Sequence, residues 1–530
     1  MKLKLLRASE AVVGSGLLPS TGDLIFLILI WLILYGKNFL LGDGSTGWNL
    51  VYGNYILHSR AVPHCDLTSY TFRGAPWTYD EWLSGVIMAA VTNLGGLAGL
   101  SVFFAGLIAL LFLLLYKECR RTGCGTLPAA VLVLCGAFAS SIHWSARPHI
   151  FSWFGVYIFA VYLERFRTGQ ISWRKLLVIL GATSVLWTNL HPSWFLGPGM
   201  VALYLGCMWV ELVLGERKDT ERKVAQLKRL LLILLTCTFA SLLNPYGTGL
   251  YAYIWHYFKD CRTIIVVTQE YMPLPLHGEF QSSCFEILVA AGIIGLAYSS
   301  SVSSLPQFIL FLTLGYLAFS SSRFIPLFAI VNLPFICKQL ATVHFIPDDS
   351  LLRPLADWWK QRGANFNRGE QLNQRHLLPI AVAVVLCMDA LGIRQAKFVE
   401  RGRVAADFNP ELFPVQTVSY IFNHKLPLNQ GFNLDNWGGY LTYKFNMPVF
   451  IDDRVAIYGA KFYDRYDDVR FVRPGWEKIL NEDRINWILM PKQDPIAERL
   501  KEEPETVKWK LVCEDKAAAL FIRIPGNTII

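Results

Sequence analysis

The chain has 530 residues, of which 53% are hydrophobic and only 17% are charged. Soluble domains carry about 25% charged residues, so this composition argues against a soluble protein and for one that spans a membrane. The net charge is +9, but the basic residues lie in short loops between apolar runs, as on the cytoplasmic face of a membrane protein, so nucleic acid is not an expected partner.

Apolar runs recur through the first 393 residues and predict a polytopic bundle of helices. A bilayer core of about 30 Å requires roughly 20 apolar residues per helix. The basic opening MKLKLLR is not followed by a cleavage site of small residues, so the first run is predicted to be a retained helix. We predict eleven spanning helices, at residues 20–41, 98–116, 127–143, 149–164, 175–190, 193–213, 229–243, 284–300, 305–320, 323–338 and 377–393.

The basic loops set the predicted orientation. If EWLSGVIMAAVTNLGG (81–96) is an interfacial helix and does not span, four basic loops fall on the inner side: 117–121, 164–175, 216–229 and 338–362. The N-terminus is then inside, and 340–376 is a polar cytoplasmic loop. The outer face receives residues 42–97, 145–149, 189–193, 244–283 and 320–324 and everything after residue 393. Most of the conspicuous polar side chains, Glu270 among them, lie in these outer loops.

The first outer loop opens with GDGSTGW, in which Asp43 stands close to the end of the first helix. A carboxylate at a membrane boundary suits a general base or a metal ligand, although Asp is also a favoured cap for a helix starting near Thr46. Asp80 and Glu81 offer two more carboxylates, for catalysis or for capping the next helix. Trp48 and Tyr52 have flat faces that stack on sugar rings, while anchoring at the membrane interface is the alternative.

Basic and polar groups recur at the ends of later outer helices. Arg147, followed by Pro148 and flanked by His149, is predicted to bind a phosphate, with snorkelling to lipid headgroups as the alternative. Asn189 and His191 are candidates for shaping a pocket or for ordinary hydrogen bonds at a helix end. Arg323 lies on the outer face, where Arg is disfavoured, so we predict that it has an anionic partner and is a second phosphate ligand.

After a linker at 394–415, residues 416–530 predict a small extracytoplasmic α/β domain. PVFIDDRVAIYG (448–459) and NWILMP (486–491) alternate like strands, DPIAERLKEE (494–503) is amphipathic, and WKLVCEDKAAALFIRI (509–524) predicts two strands around a turn. Asp452 and Arg454 would share one strand face and form an ion pair. Eleven cysteines show no paired spacing such as CxxC, so neither a zinc site nor a disulfide framework is indicated.

Several phrases carry a resemblance to a known group: GWNLVYGNYIL, VPHCDLTSYTFRGAPW, DEWL, ARPHIFS, WTNLHPSWFLG, LLNPYG and DNWGGYL…FIDDRVAIYG. They resemble a broad group of bacterial polytopic membrane proteins. The plan of residues 1–393 resembles the GT-C class of glycosyltransferases, which includes protein O-mannosyltransferases and aminoarabinose lipid A transferases. The resemblance implies transfer of a sugar from a polyprenyl-phosphate donor to a glycan, lipid or protein acceptor at the outer face of the bacterial inner (plasma) membrane.

Within that resemblance, Asp43 matches the acid of the first outer loop, and Arg147 and Arg323 match the phosphate-binding residues by location. Many members carry a second acid in the next outer loop, where this chain has SARPH without a carboxylate. A divalent metal held by such a pair is therefore an open alternative that would require Asp80 or Glu81, and metal-independent transfer is the preferred prediction. Two other functions are kept as alternatives: a transporter of a lipid-linked sugar, and a non-catalytic assembly factor in envelope polysaccharide synthesis.

Overall fold

In this computed structural model the described residues are 19–36, 40–214, 220–260, 269–275, 278–299, 304–343, 363, 367, 376–392, 407–426, 429–446, 448–502 and 509–524. Apart from residues 363 and 367, most of the loop predicted at 340–376 lies outside them. Each of the eleven predicted apolar runs contains a helix. Numbered in chain order with the shorter helices between them, the helices of this part are α1 (Thr21–Tyr35), α2 (Ser45–Ser59), α3 (Trp82–Arg121), α4 (Thr126–Ala139), α5 (His149–Arg167), α6 (Trp173–Leu190), α7 (Leu196–Leu214), α8 (Thr220–Ala240), α9 (Gly249–Asp260), α10 (Phe280–Tyr298), α11 (Leu305–Ser320), α12 (Ile325–Ala341) and α13 (Leu377–Ala390).

The helices identify a multi-pass membrane protein. Within the described residues, five helical stretches are long and apolar enough to cross a bilayer, namely Trp82–Arg121, Thr126–His143, Pro192–Leu214, Phe280–Tyr298 and Ser322–Ala341. Three shorter apolar helices are α1, α11 and α13. The predicted number of eleven spans stays a prediction.

The helix α3 contains the boundary predicted between an interfacial and a spanning segment. Gly96 interrupts it with φ 64° and ψ −166°, so the residues before and after it form two helical segments of different direction. A side chain disfavours positive φ, whereas glycine adopts it without strain. The break at Gly96 therefore agrees with the sequence division at residue 96.

The first and last apolar helices of the bundle are joined at both ends. Ser20 and Asp23 form a capping box at the start of α1, and the Asp23 carboxylate lies 2.9 Å from Nδ1 of His376, just before α13. At the other end, the Tyr35 hydroxyl donates to Asp389 at 2.7 Å. These two polar contacts fix α1 against α13 without relying on apolar packing alone.

The C-terminal part is the predicted mixture of helices and strands. Its elements are α14 (Val415–Asn423), β1 (Gly431–Asn433), α15 (Asp435–Phe445), α16 (Val455–Arg470), α17 (Trp476–Glu482), β2 (Trp487–Pro491), α18 (Pro495–Glu502), β3 (Trp509–Glu514) and β4 (Ala518–Arg523). The sheet order is β1-β2-β4-β3, with β1 parallel to β2 and the other pairs antiparallel.

The strands predicted at 486–491 and within 509–524 are confirmed, as is the helix predicted at 494–503. The strand predicted at 448–459 is wrong: residues 450–454 form a turn, and α16 begins at Val455. Phe450 and Ile451 are both buried in the domain core, and Asp452 and Arg454 bond to each other within the turn, so buried and exposed residues do not alternate here.

The helices α2 and α15, nearly 400 residues apart in sequence, are in backbone contact. A Cβ atom at Gly47 would lie 2.2 Å from the carbonyl oxygen of Gly439, and one at Gly44 would lie 1.8 Å from the carbonyl oxygen of Asn436. Such distances are shorter than any real Cβ contact, so only glycine permits this approach. The glycines of GDGSTGW and DNWGGYL are thus explained by one helix crossing.

Arg454 connects the C-terminal domain to the first outer loop. Its guanidinium donates to Asp66 at 2.7 Å and to Asp452 at 2.6 Å, and all three residues are at least 95% buried. The predicted ion pair of Asp452 with Arg454 is therefore present, within a turn. Arg454 also donates to the Tyr52 hydroxyl at 2.8 Å and lies over the ring of Trp77.

We expect Arg454→Ala to destabilise the folded protein by about 3–5 kcal/mol, because it leaves two buried carboxylates without their cation. The measurement is unfolding of the purified protein followed by tryptophan fluorescence. Arg473→Ala is the matched control: Arg473 is more than half exposed beside Asp468, and its loss is expected to cost less than about 1 kcal/mol. Equal effects of the two substitutions would contradict a role of Arg454 in joining the two parts.

Candidate functional site

Asp43 lies in the short segment between α1 and α2, where its two carboxylate oxygens have different partners. Oδ1 accepts the backbone N–H of Ser45 at 2.9 Å, which satisfies one of the free amides at the start of α2. Oδ2 accepts from Nη1 of Arg147 at 2.9 Å. Asp43 thus bonds both the start of α2 and Arg147, and its side chain remains about one-fifth exposed.

Arg147 and Arg323 meet at one carboxylate. Nη1 of Arg147, besides its bond to Asp43, donates to Glu270, and Nη1 of Arg323 lies 3.3 Å from the other oxygen of Glu270. Burial opposes the charged form of Glu270, but the two guanidinium groups outweigh it and lower the pKa of this carboxyl below its usual value. Glu270 is therefore an anion shared by two cations, and it is the partner predicted for Arg323.

A cavity of about 80 Å³, partly open to solvent, lies beside this cluster. Two of its polar walls come from the turn before α5 and from the loop after α6, and a third from the short helix before α12. The side chains that line it include His143, Arg147, His149, Ser152, Trp153, His191, Ser193, Glu270 and Arg323. Four predicted residues, Arg147, His149, His191 and Arg323, are thus brought to one cavity.

Hydrogen bonds orient two of the three histidines of the cavity. Nε2 of His149 donates to the carbonyl oxygen of His143 at 2.9 Å, since a carbonyl only accepts. Nδ1 of His191 accepts the backbone N–H of Ser193 at 3.2 Å, which directs its Nε2 toward Glu81 at 3.5 Å. Within the described residues, the buried Nε2 of His143 has no hydrogen-bond partner. It is a polar atom that a ligand of the cavity can satisfy.

Asn189 lies next to the cavity, and its side chain is hydrogen-bonded to other parts of the protein. Its side-chain oxygen accepts from the indole of Trp82 at 2.9 Å, and its amide donates to the carbonyl of Leu243 at 2.8 Å. These bonds join the ends of α6 and α8 to the start of α3. Its predicted ligand contact is therefore disfavoured, because its oxygen and its amide hydrogens are already bonded within the protein.

Asp80 and Glu81 stand at the start of α3. Glu81 occupies the N-cap position, but its side chain makes no capping hydrogen bond; it lies instead near His191 and 3.4 Å from the amide of Asn49. Burial raises the pKa of Asp80 to about 7, and burial together with the neighbouring Asp80 raises the pKa of Glu81 to about 8. Glu81 thus lies beside His191, one of the residues that line the cavity.

Trp48 and Tyr52 are buried in an aromatic cluster with Trp77 and Tyr79. Tyr52 has no exposed surface, and its hydroxyl donates to Asp66 at 2.9 Å. Trp48 is 7% exposed, and its indole N–H donates to Asp453 at 2.8 Å. This burial argues against the stacking on a sugar predicted for both residues, because stacking requires an open ring face.

The metal alternative at the first outer loop concerns Asp43 together with Asp80 or Glu81. In the part of the chain that the structure describes, no three His, Cys, Asp or Glu side chains are placed to hold a metal ion. The Asp43 carboxylate instead has a guanidinium as its partner. Asp80 and Glu81, the carboxylates that would have to complete a site, stand at the start of α3, where Glu81 lies 3.5 Å from His191.

Sequence reasoning missed two residues of this region. Glu270 was grouped with the outer polar residues without a role, and only the expected anionic partner of Arg323 pointed toward it. Asp453 follows Asp452 in FIDDRVAIYG, and its Oδ2 accepts from the Ser45 hydroxyl. Two adjacent aspartates in a turn are a signal that both carboxylates have separate partners, but they do not identify those partners.

Glu81→Gln tests the raised pKa of Glu81. A raised folded-state pKa gives stability that is fully present below about pH 4.5 and is lost as the pH rises through about 8. Gln imitates the neutral form, so the variant should not lose this stability as the pH rises. The difference in melting temperature, variant minus wild type, is therefore expected to increase by about 2 °C or more between pH 5.5 and pH 8.5. Glu477→Gln, at an exposed position, is the control; a flat difference for Glu81→Gln would contradict the assignment.

Known structures provide the comparison at the level of the fold. The oligosaccharyltransferase AglB from Archaeoglobus fulgidus, in complex with an inhibitory peptide and a dolichol-phosphate, is similar with a TM-score of 0.54 and 14% identity over 89% of this chain and 68% of that chain. An Archaeoglobus fulgidus oligosaccharyltransferase tethered with an acceptor peptide gives a TM-score of 0.55 and 13% identity over the same shares.

ArnT from Cupriavidus metallidurans, bound to undecaprenyl phosphate, is similar with a TM-score of 0.51 and 12% identity over 95% of this chain and 97% of that chain. No protein-family model matches the sequence, and no curated protein does. AglB and ArnT are both GT-C glycosyltransferases, so the fold expected from the resemblance is confirmed. The chain has the fold of the GT-C membrane glycosyltransferases.

Proposed function

We propose that this protein is a membrane glycosyltransferase that moves a sugar from a polyprenyl-phosphate-linked donor to an acceptor at the outer face of the membrane. The observation that carries the proposal is the convergence of Arg147 and Arg323 on Glu270 beside a cavity. Two guanidinium groups aimed at one anion form a suitable site for a phosphate group. The fold adds support, since AglB and ArnT have been crystallised with dolichol-phosphate and undecaprenyl phosphate respectively.

The proposal includes the membrane arrangement expected from the sequence. Eleven spans place the N-terminus inside and the C-terminal domain outside, in the inner (plasma) membrane of a bacterial cell envelope. The segment before Gly96 then lies along the interface. Asp43, Arg147, Glu270 and Arg323 all share the outer side in this arrangement, where a lipid phosphate meets water.

The reaction follows from the positions of these charges. The acceptor hydroxyl attacks the anomeric carbon of the donor sugar, its proton goes to Asp43, and the bond from that carbon to the phosphate oxygen breaks with its electron pair on the phosphate. Arg147 and Arg323 stabilise the charge that develops on this leaving group. Attack from the face opposite the phosphate inverts the anomeric configuration. No step uses a metal ion.

Glu270 and the phosphate compete for the same guanidinium groups in this proposal. Glu270 occupies the place between Arg147 and Arg323 that a phosphate requires. Arg147 also holds Oδ2 of Asp43. A phosphate that draws Arg147 away frees this oxygen to accept the proton of the acceptor, so donor binding and activation of the base are coupled.

We expect the double variant Arg147→Ala, Arg323→Ala to lose affinity for undecaprenyl phosphate by about 100-fold, because it removes at least two charged hydrogen bonds. Binding is measured on detergent-purified protein, beside mass spectrometry of the lipids that co-purify. Arg73→Ala, Arg473→Ala removes two exposed arginines and is the matched control. A polyprenyl-phosphate sugar in the wild type and control, but absent from the double variant, would support the donor site.

Ordinary phospholipids alone in all three preparations would remove the support for a donor site and favour the assembly-factor alternative. Donor binding without transfer to any acceptor would favour the transporter alternative. Sugar transfer by the purified wild type distinguishes the enzyme from both.

Glu270→Gln is expected to act in the opposite direction. Removing the competing carboxylate should tighten binding of undecaprenyl phosphate by about 10-fold, because both guanidinium groups lose their internal anion. Glu279→Gln, at an exposed position of the same loop region, should leave the affinity unchanged. Weaker binding by Glu270→Gln would show that Glu270 supports the phosphate site and does not compete with it.

A further inference from the structure

Asp453, a carboxylate of the C-terminal domain, bonds to the start of α2 next to Asp43. Oδ2 of Asp453 accepts the hydroxyl of Ser45, whose backbone N–H is bonded to Asp43. Oδ1 of Asp453 accepts the indole N–H of Trp48 at 2.8 Å. One carboxylate of the C-terminal domain therefore holds two side chains in the first turn of α2, immediately after Asp43.

Asp453 is itself held in place by the contact between the two parts of the protein. The next residue, Arg454, is bonded to Asp66 in the first outer loop. Just before α2, Gly44 leaves no space for a side chain, because α15 lies against its backbone. The amide N–H of Gly44 donates to the side chain of Asn436 at 3.2 Å. Asp453 thus stands between an ionic contact and a close helix crossing, and it has little freedom to move away from Ser45.

Several charged or titratable groups face Asp453. They are Asp43 before α2, Arg147 before α5, Tyr463 of α16 and the adjacent Asp452. Burial, followed by repulsion from Asp43 and Asp452, raises the pKa of Asp453 to about 7. Below that pH the neutral carboxyl has a proton on one oxygen and accepts fewer hydrogen bonds from Ser45 and Trp48.

We propose that Asp453 is a positioning residue: through Ser45 and Trp48 it fixes the first turn of α2 and thereby the Asp43 carboxylate. The C-terminal domain then completes the candidate site and does not merely accompany it. This inference rests on the proposed function in so far as Asp43 accepts a proton there. Asp453 is more than a cap because its two oxygens bind different side chains of the same turn.

The experiment compares Asp453→Asn with Asp464→Asn, which changes an exposed aspartate of the same domain. An Asn side chain has one accepting oxygen and a donating amide, so it cannot accept from Ser45 and Trp48 on two separate oxygens as Asp453 does. Hydrogen–deuterium exchange of the peptide covering residues 43–50 is measured on the full-length protein. Sugar transfer from an undecaprenyl-phosphate-linked donor is measured beside it, as kcat and KM against pH.

We expect faster exchange in residues 43–50 of Asp453→Asn, a kcat lowered by about 10- to 100-fold and an unchanged donor KM, because the guanidinium groups stay in place while the base is misplaced. The kcat of the wild type should decrease as the pH falls through about 7, and the kcat of Asp453→Asn should not show this decrease. Ser45→Ala should have a similar effect, and combining it with Asp453→Asn should add little, since both remove the same bond. Asp464→Asn should behave as the wild type.

Unchanged exchange in Asp453→Asn would overturn the proposal, whatever the activity. Faster exchange with unchanged kcat would also overturn it, because the position of Asp43 would then not limit the reaction. If the wild type transfers no sugar, the proposed function fails separately, and the exchange of residues 43–50 still decides whether Asp453 fixes this segment.

Discussion

The buried guanidinium of Arg454 is the interaction on which the contact between the C-terminal domain and the segment from α2 to α3 depends. A charge removed from water is tolerated only where its partners are present and well placed. Asp452 is supplied by the same turn, but Asp66 is supplied by the first outer loop. Neither part satisfies these charges alone, so the loop and the C-terminal domain adopt their structures together, and the aromatic residues around Arg454 are drawn into a shared core.

That constraint determines what the polar first outer loop can do. Several of its polar side chains are buried inside the protein: Asp66 forms an ion pair with Arg454, and Tyr52 is fully buried. Asp43 remains partly exposed at the edge of this assembly, where α2 begins. The close crossing of α2 and α15 holds that edge, because glycine backbones allow the two helices to approach without intervening side chains. A rigid start of α2 is a suitable support for a base.

Electrostatic balance characterises the cavity. Asp43 and Glu270 carry two negative charges against the two positive charges of Arg147 and Arg323. A cluster that is neutral as a whole can be stable without a ligand, and an added phosphate must take over contacts that carboxylates already make. Affinity for such a ligand then depends on how readily Glu270 withdraws, which is why the two variants of this cluster are expected to act in opposite directions.

Much of the fold followed from local sequence. Each predicted apolar run contains a helix, the basic loops led to the division near Gly96, and alternation predicted the strands from residue 487 onward, because these signals depend on neighbours in the chain. Charge and residue type selected Asp43, Arg147 and Arg323, and the unfavourable outer position of Arg323 predicted its anionic partner. Tertiary structure decided the rest. The predicted strand at 448–459 is a turn at 450–454, the rings of Trp48 and Tyr52 are buried, and Glu270 and Asp453 bond to partners 123 and 408 residues away. Local sequence carries no record of such distances, because contact between distant segments depends on how the whole chain packs.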